Sequence, residues 1–202
     1  PICVTPQNYI DNAVKLAKRK NIIIVTFADL LKVPGSNSTL QEMKTEINNI
    51  EIVFSPLDSV KIAEKNPNCE VVFLAVGFET TAPVIALSII EADKKNLNNY
   101  SLLPALKIMP PVIEKLITDK ELALDAFICP GHVSTIIGNK SFNFIADRYN
   151  IPAVIAGFER VDIILALARI LEMIQTEIVQ VDNLYKRAVK SQGNQKAKAV
   201  IN

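Results

Sequence analysis

An apolar run that ends in Gly-Phe-Glu occurs twice in this chain, and the repetition constrains the fold more than any other feature. Val71-Val72-Phe73-Leu74-Ala75-Val76 leads into Gly77-Phe78-Glu79, and Ile151-Pro152-Ala153-Val154-Ile155-Ala156 leads into Gly157-Phe158-Glu159. A run of this length, closed by Gly and followed by an amphipathic pattern, reads as a parallel strand entering its crossover helix. Sheets of this kind bind ligands outside the carboxyl ends of their strands. The two tripeptides lie 157 − 77 = 80 positions apart. The expectation is an α/β protein of two similar lobes, each a parallel sheet flanked by helices, around a central cleft.

Bulk properties narrow the function classes. A chain of 202 residues is long enough for one large domain or two compact lobes. A formal charge of +1 argues against a grip on nucleic acid by charge. No apolar run approaches the roughly 20 residues that cross a bilayer, so no membrane role is expected. The first residues, Pro1-Ile2-Cys3-Val4-Thr5-Pro6, lack the basic and apolar regions of a signal peptide. Cys3, Cys69 and Cys129 do not form a secreted disulfide framework, and a cytoplasmic location is expected. With no initiator Met and no capping signal at its end, the chain is expected to be a fragment.

The pattern alternates strands and helices. A helix is expected over 7–20, ending in the basic cluster Lys18-Arg19-Lys20 that suits a helix C-terminus. Strands follow at 21–27, 50–54, 71–76, 100–105, 126–129 and 151–156. Helices are expected around 40–48, 56–65, 81–93, 110–117, 141–149 and 161–178. In the last of these, Ile164, Leu167, Leu171, Ile174 and Ile178 fall on one face. The polar, Asn-rich stretch 94–99 is the expected boundary between lobes 1–98 and 99–180. Residues 181–202 are expected to begin a connection.

Right-handed crossovers put the strand-end loops of each lobe on one side. Those loops, 26–39, 77–81, 129–134 and 157–160, hold the candidate chemistry. His132 is the only histidine, and it reads either as a structural hydrogen-bonding residue or as a proton shuttle or ligand. Cys129 and His132 alone cannot fill a structural zinc site. Glu79 and Glu159 read either as paired acids or as carboxylates at helix N-termini, each gaining about 0.3–1 kcal/mol from the dipole. Asp29 follows the same logic. Thr80 and Thr81 either cap a helix start or bond a ligand. Gly35 follows Pro34 and Gly131 follows Pro130, giving tight turns or room for close approach by an anion. Walker and dinucleotide glycine patterns are absent, as is a Ser-His-Asp arrangement. An α/β enzyme binding a small anionic metabolite at the strand ends stays open as an alternative.

Taken in order, the loops resemble a known set. Cys3-Val4-Thr5-Pro6, the stretch 26–36, Gly77-Phe78-Glu79-Thr80-Thr81-Ala82-Pro83, Pro130-Gly131-His132-Val133-Ser134 and Ala156-Gly157-Phe158-Glu159 resemble the signature blocks of the HypD family of NiFe-hydrogenase maturation proteins. The resemblance runs the length of the chain. It implies a scaffold on which an Fe(CN)2CO unit is assembled, working with a HypC-type chaperone and accepting cyanide from HypE. It also implies a four-iron four-sulfur cluster in the full-length protein, held by cysteines that this chain lacks. Cys3 would be the second cysteine of a Cys-Pro-x-Cys pair, acting as redox thiol or iron neighbour. By the same resemblance Asp29, Glu79 and His132 would sit at the chemistry. Thr26, Pro34, Gly35, Thr80, Thr81, Gly131, Ser134 and Glu159 would line the binding site.

Overall fold

The computed structural model describes residues 2–201. The chain packs as two units, Pro1–Lys107 and Ile108–Asn202. Both are α/β with parallel sheets, as the apolar runs predict.

The first unit holds β1 (Ile22–Thr26), β2 (Ile50–Ile52), β3 (Glu70–Gly77) and β4 (Tyr100–Leu106), in the order β2-β1-β3-β4, every pairing parallel. Its helices are α1 (Gln7–Ala17), α2 (Leu40–Glu46), α3 (Pro56–Lys65) and α4 (Ala82–Lys94). Strand β3 is buried from Val71 to Gly77, which is why its sequence is continuously apolar rather than alternating. Helix α1 lays Tyr9, Ile10, Ala13, Val14 and Ala17 on one side of the sheet, with Ile24, Leu74 and Val76 beneath. Each fully buried aliphatic side chain of this kind contributes about 1.5–3 kcal/mol. The Tyr9 hydroxyl donates to the Leu103 carbonyl at 2.6 Å, tying the helix to β4. The opposite layer gathers Val25, Phe73, Ala75 and Ile85.

Local chemistry starts the helices where expected. Ser55 accepts from the Leu57 amide ahead of α3, and Pro56 takes the first helical position. Thr39 and Glu42 form a reciprocal capping box at α2.

The second unit holds β5 (Phe127–Pro130), β6 (Ala153–Ala156) and β7 (Val181–Asn183), in that order and parallel. Its helices are α5 (Met109–Ile117), α6 (Gly131–Ile137), α7 (Phe144–Tyr149), α8 (Arg160–Gln175) and α9 (Gln195–Ile201). Val154, Ala156, Ala166, Ile170 and Met173 form its core between β6 and α8.

Five features differ from the sequence reading. The units divide at 107/108 rather than 98/99, because β4 pairs with β3 along its whole length. Asn99 does not sit in a loose linker: its side-chain amide lies 3.0 Å from the carbonyls of Ala63, Asn66 and Cys69. Residues 181–202 carry β7 and α9 instead of only a connection, and Val189 and Ala197 are buried. The stretch expected as a loop over 129–134 turns directly into α6 at Gly131. Finally, the apolar stripe of α8 from Ile164 to Ile174 is the exposed face, while Ala166, Ile170 and Met173 pack inward.

Candidate functional site

In each unit the strand ends collect the polar groups. In the first, β1 ends at Thr26, which is fully buried and sits under a 3-10 turn, Ala28–Lys32, carrying the exposed Asp29. Strand β3 ends at Gly77, and the chain turns through Glu79 and Thr80 into α4. Glu79 is buried at 7% exposure, whereas Thr80 is exposed. Thr81 occupies the N-cap position of α4 without a side-chain capping bond, so its hydroxyl is not spent on the helix. A cavity of about 140 Å³ opens here, lined by Ile2, Phe27, Asp29, Leu30, Leu74, Val76 and Thr81. Asp29 brings a carboxylate and Thr81 a hydroxyl to it, and the other lining side chains are apolar. Ile2 belongs to the 3-10 turn Ile2–Val4, which also carries the exposed thiol of Cys3. The geometry therefore brings the Cys3 turn, Asp29 and Thr81 to one strand-end pocket.

Gly35 and Pro34 have a different local explanation. The Pro34–Thr39 turn closes through a bridge and is anchored on α1, where the Ser36 amide and hydroxyl donate to Asp11 at 2.7 and 2.6 Å. A Cβ at Gly35 would lie 2.7 Å from that carboxylate. The two hydrogen bonds from Ser36 hold the Asp11 carboxyl below its ordinary range. The close approach at Gly35 is thus taken by Asp11, a residue that local sequence pattern does not flag.

In the second unit, Gly131 opens α6 with its Cα pressed against β6. A Cβ there would meet the Ala156 carbonyl oxygen at 2.3 Å and the Tyr185 ring at 2.6 Å. Ser134 is fully buried and its hydroxyl donates to the Pro130 carbonyl at 2.9 Å. His132 is exposed, edge-on to Phe158 at 4.7 Å and tilted toward Tyr185 at 6.2 Å. Glu159 is exposed at the N-cap position of α8 and makes no side-chain capping bond.

The acid that is buried here is Asp162, three residues on. Arg187 donates to both its oxygens, at 2.8 and 2.6 Å, and lies 3.6 Å from Glu159. That bidentate pairing holds the Asp162 carboxyl below its ordinary range. The guanidinium also stacks on Tyr185 at 4.4 Å. Tyr185, Arg187 and Asp162 thus fasten the segment after β7 over the β5 and β6 strand ends. Sequence reasoning missed all three, because the contacts span 25 positions and leave no periodic trace.

The three cysteines lie in unlike surroundings. Cys3 is exposed, Cys69 is half-buried and Cys129 is buried at the end of β5. Burial pushes the Cys129 thiol up to about 12, so it stays protonated at neutral pH. A four-iron cluster takes four thiolates, more than this chain contains. The cluster expected for the full-length relatives therefore does not fit these residues.

Comparison with known proteins follows the same line. A HypD profile, described as the hydrogenase formation hypA family, matches residues 1–202. A putative hydrogenase expression/formation protein of Methanocaldococcus jannaschii is 42% identical over 202 residues, covering all of this chain and 56% of that protein. The hydrogenase maturation factor HypD of Rhodobacter capsulatus is 39% identical over 201 residues, covering 100% of this chain and 53% of its own length. The factor of the same name from Escherichia coli K12 is 35% identical over 201 residues, again over 100% of this chain and 54% of its own. The chain spans about half the length of these relatives.

Proposed function

Because this chain belongs to the HypD family of hydrogenase formation proteins, we propose that it forms part of a scaffold for assembling the Fe(CN)2CO centre of NiFe hydrogenases. The iron unit is the cargo. A HypC-type chaperone shares its custody, cyanide arrives from HypE, and the work takes place in the cytoplasm.

The observation that carries this reading is the first unit's strand-end pocket. Asp29 and Thr81 line a small cavity there together with Ile2, the neighbour of the exposed Cys3 on its short turn. A thiolate suits a soft or low-spin iron, and hydroxyl donors suit the nitrogen ends of cyanide ligands. Apolar walls such as Leu74 and Val76 exclude water from diatomic ligands. One thiolate is a single ligand, and among the described residues no group of three or more metal-ligating side chains is gathered. Cys3 would thus act with ligands carried by the cargo and by the chaperone. His132, exposed beside Phe158, is placed to meet a partner or to pass a proton at its imidazole.

An anaerobic infrared spectrum of the full-length parent, co-purified with its small chaperone, tests the reading. Bands from iron-bound cyanide and carbon monoxide, lost on Cys3→Ser, are the expected result. A chaperone complex with no such bands would overturn it. His132→Ala with undiminished hydrogenase maturation would remove His132 from the site.

A further inference from the structure

The two glycines at the second unit's strand ends answer to one ring. Gly131 follows β5 and Gly157 follows β6. A Cβ on Gly131 would lie 2.6 Å from Tyr185 Cδ1, and a Cβ on Gly157 would lie 2.7 Å from Tyr185 Cε2. Those two ring carbons are para to each other, so the ring spans the gap between the strand ends and leaves room only for hydrogen at each glycine. The residues that follow the glycines meet each other beside it: His132 lies edge-on to Phe158 at 4.7 Å and 6.2 Å from Tyr185.

Tyr185 is itself held from several directions. Its amide donates to Asn183 Oδ1 at 3.0 Å, and its carbonyl accepts from the Ala188 and Val189 amides at 3.0 and 2.9 Å. The Asn183 side-chain amide closes that turn on the Val189 carbonyl at 3.1 Å, and Val189 is buried. Arg187, fixed by its bidentate pair with Asp162, lies 4.4 Å from the ring centroid. The His132 imidazole has no such anchorage. It makes no hydrogen bond among the described residues, so ring packing sets its direction.

We propose that Tyr185 is a positioning residue: wedged between Gly131 and Gly157 and backed by Arg187, it fixes the direction of the His132 imidazole. The proposal rests on the reading of His132 as a group that passes a proton or meets a partner. Either task needs the ring held along one line, and an imidazole free to swing loses effect although it is present.

Nuclear magnetic resonance of the full-length parent, carrying carbon-13 at the histidine Cε1 position, tests this. The His132 signal is the one missing from His132→Ala. Tyr185→Leu should shift that signal and cut hydrogenase maturation about tenfold, with an unchanged far-ultraviolet circular dichroism spectrum. Tyr185→Phe keeps the ring and should keep both the signal position and maturation. Arg187→Met removes the guanidinium and leaves the ring, so it should shift the signal the same way by less, a second measure if Tyr185→Leu does not fold. A His132 signal that neither Tyr185→Leu nor Arg187→Met moves overturns the proposal. So does full maturation in Tyr185→Leu where His132→Ala has lost it. Full maturation in both of those variants overturns the reading of His132 itself, and the proposal with it.

Discussion

The same tripeptide closes β3 and β6, yet the two strand ends differ in which side chains are buried. After β3, Glu79 is buried, Phe78 is half-buried, and Thr81 keeps its hydroxyl free of the helix cap beside a cavity. After β6, Glu159 and Phe158 are exposed, and the buried acid is Asp162. The difference follows from what arrives from elsewhere in the chain. Arg187 reaches the β6 end with Tyr185 beneath it and draws Asp162 inward. At the β3 end the space is left to the pocket under the Cys3 turn. A shared motif therefore places the backbone, and distant partners decide what its side chains do. The first end keeps a pocket; the second is fastened shut.

Glycine substitutions probe this contrast most strongly. Gly131→Ala should cost about 3 kcal/mol, since its Cβ meets fixed backbone at Ala156. Gly157→Ala should cost about 2 kcal/mol, because a Cβ would strike Asp162 Oδ2 and the Tyr185 ring. Gly77→Ala should cost about 1 kcal/mol, as the nearest atoms belong to the Thr81 side chain, although these too leave little room. Urea denaturation of the three variants gives the order, and equal losses at the two tripeptides would break the comparison.

Thiol labelling comes next in size. With iodoacetamide at pH 8, Cys3 should react in the folded protein while Cys129 stays protected until unfolding. Mass spectrometry of the labelled peptides reads the outcome. Labelling of Cys129 at the rate of Cys3 would contradict the buried β5 end.

A smaller effect is expected from acid. The Asp162 carboxyl is depressed by Arg187 and the Asp11 carboxyl by Ser36. A depressed carboxylate contributes stability above its unfolded value of about 3.9, and that contribution is lost as pH falls through the folded value. Thermal melts should therefore fall below about pH 4. Arg187→Met should remove the Asp162 share of that slope and leave the Asp11 share. A slope unchanged in Arg187→Met would show that the clamp does not hold in solution.

The smallest expected change is at Thr81. Thr81→Val keeps the shape and removes only the hydroxyl, so stability should shift by under about 1 kcal/mol. In the full-length parent the same change should alter the infrared bands of any bound iron unit. Unchanged bands would exclude Thr81 from contact with it.

How far the sequence could be read follows from the range of each interaction. The apolar runs of β3 and β6, the Ser55-Pro56 start of α3 and the alternating order of strands and helices were legible because they rest on near neighbours. Strand β7 and helix α9 were not. Val181-Asp182-Asn183 is too short and polar to show a period, and it becomes a strand only by pairing with β6. The α8 stripe was visible, but both faces of that helix are apolar, so periodicity alone did not say which one packs on the sheet. At the candidate site, Asp29, Glu79 and Thr81 were legible as residues in strand-end loops of the first unit, whereas Cys3 lies in a turn before α1 and His132 in α6. Asp11, Asp162, Tyr185 and Arg187 were not legible.

By itself, then, the sequence determined the parallel α/β class, the two strand ends with their tripeptides and the family. Local hydrogen bonding and the burial of apolar runs are encoded within a few residues of one another. Only the tertiary structure decided that β4 completes the first sheet, that Gly35 yields to Asp11 and that Asp162 rather than Glu159 is the buried acid. Each of those outcomes depends on a partner 25 or more positions away. Such a partner is fixed by packing and charge in three dimensions, and leaves no mark on the neighbouring sequence.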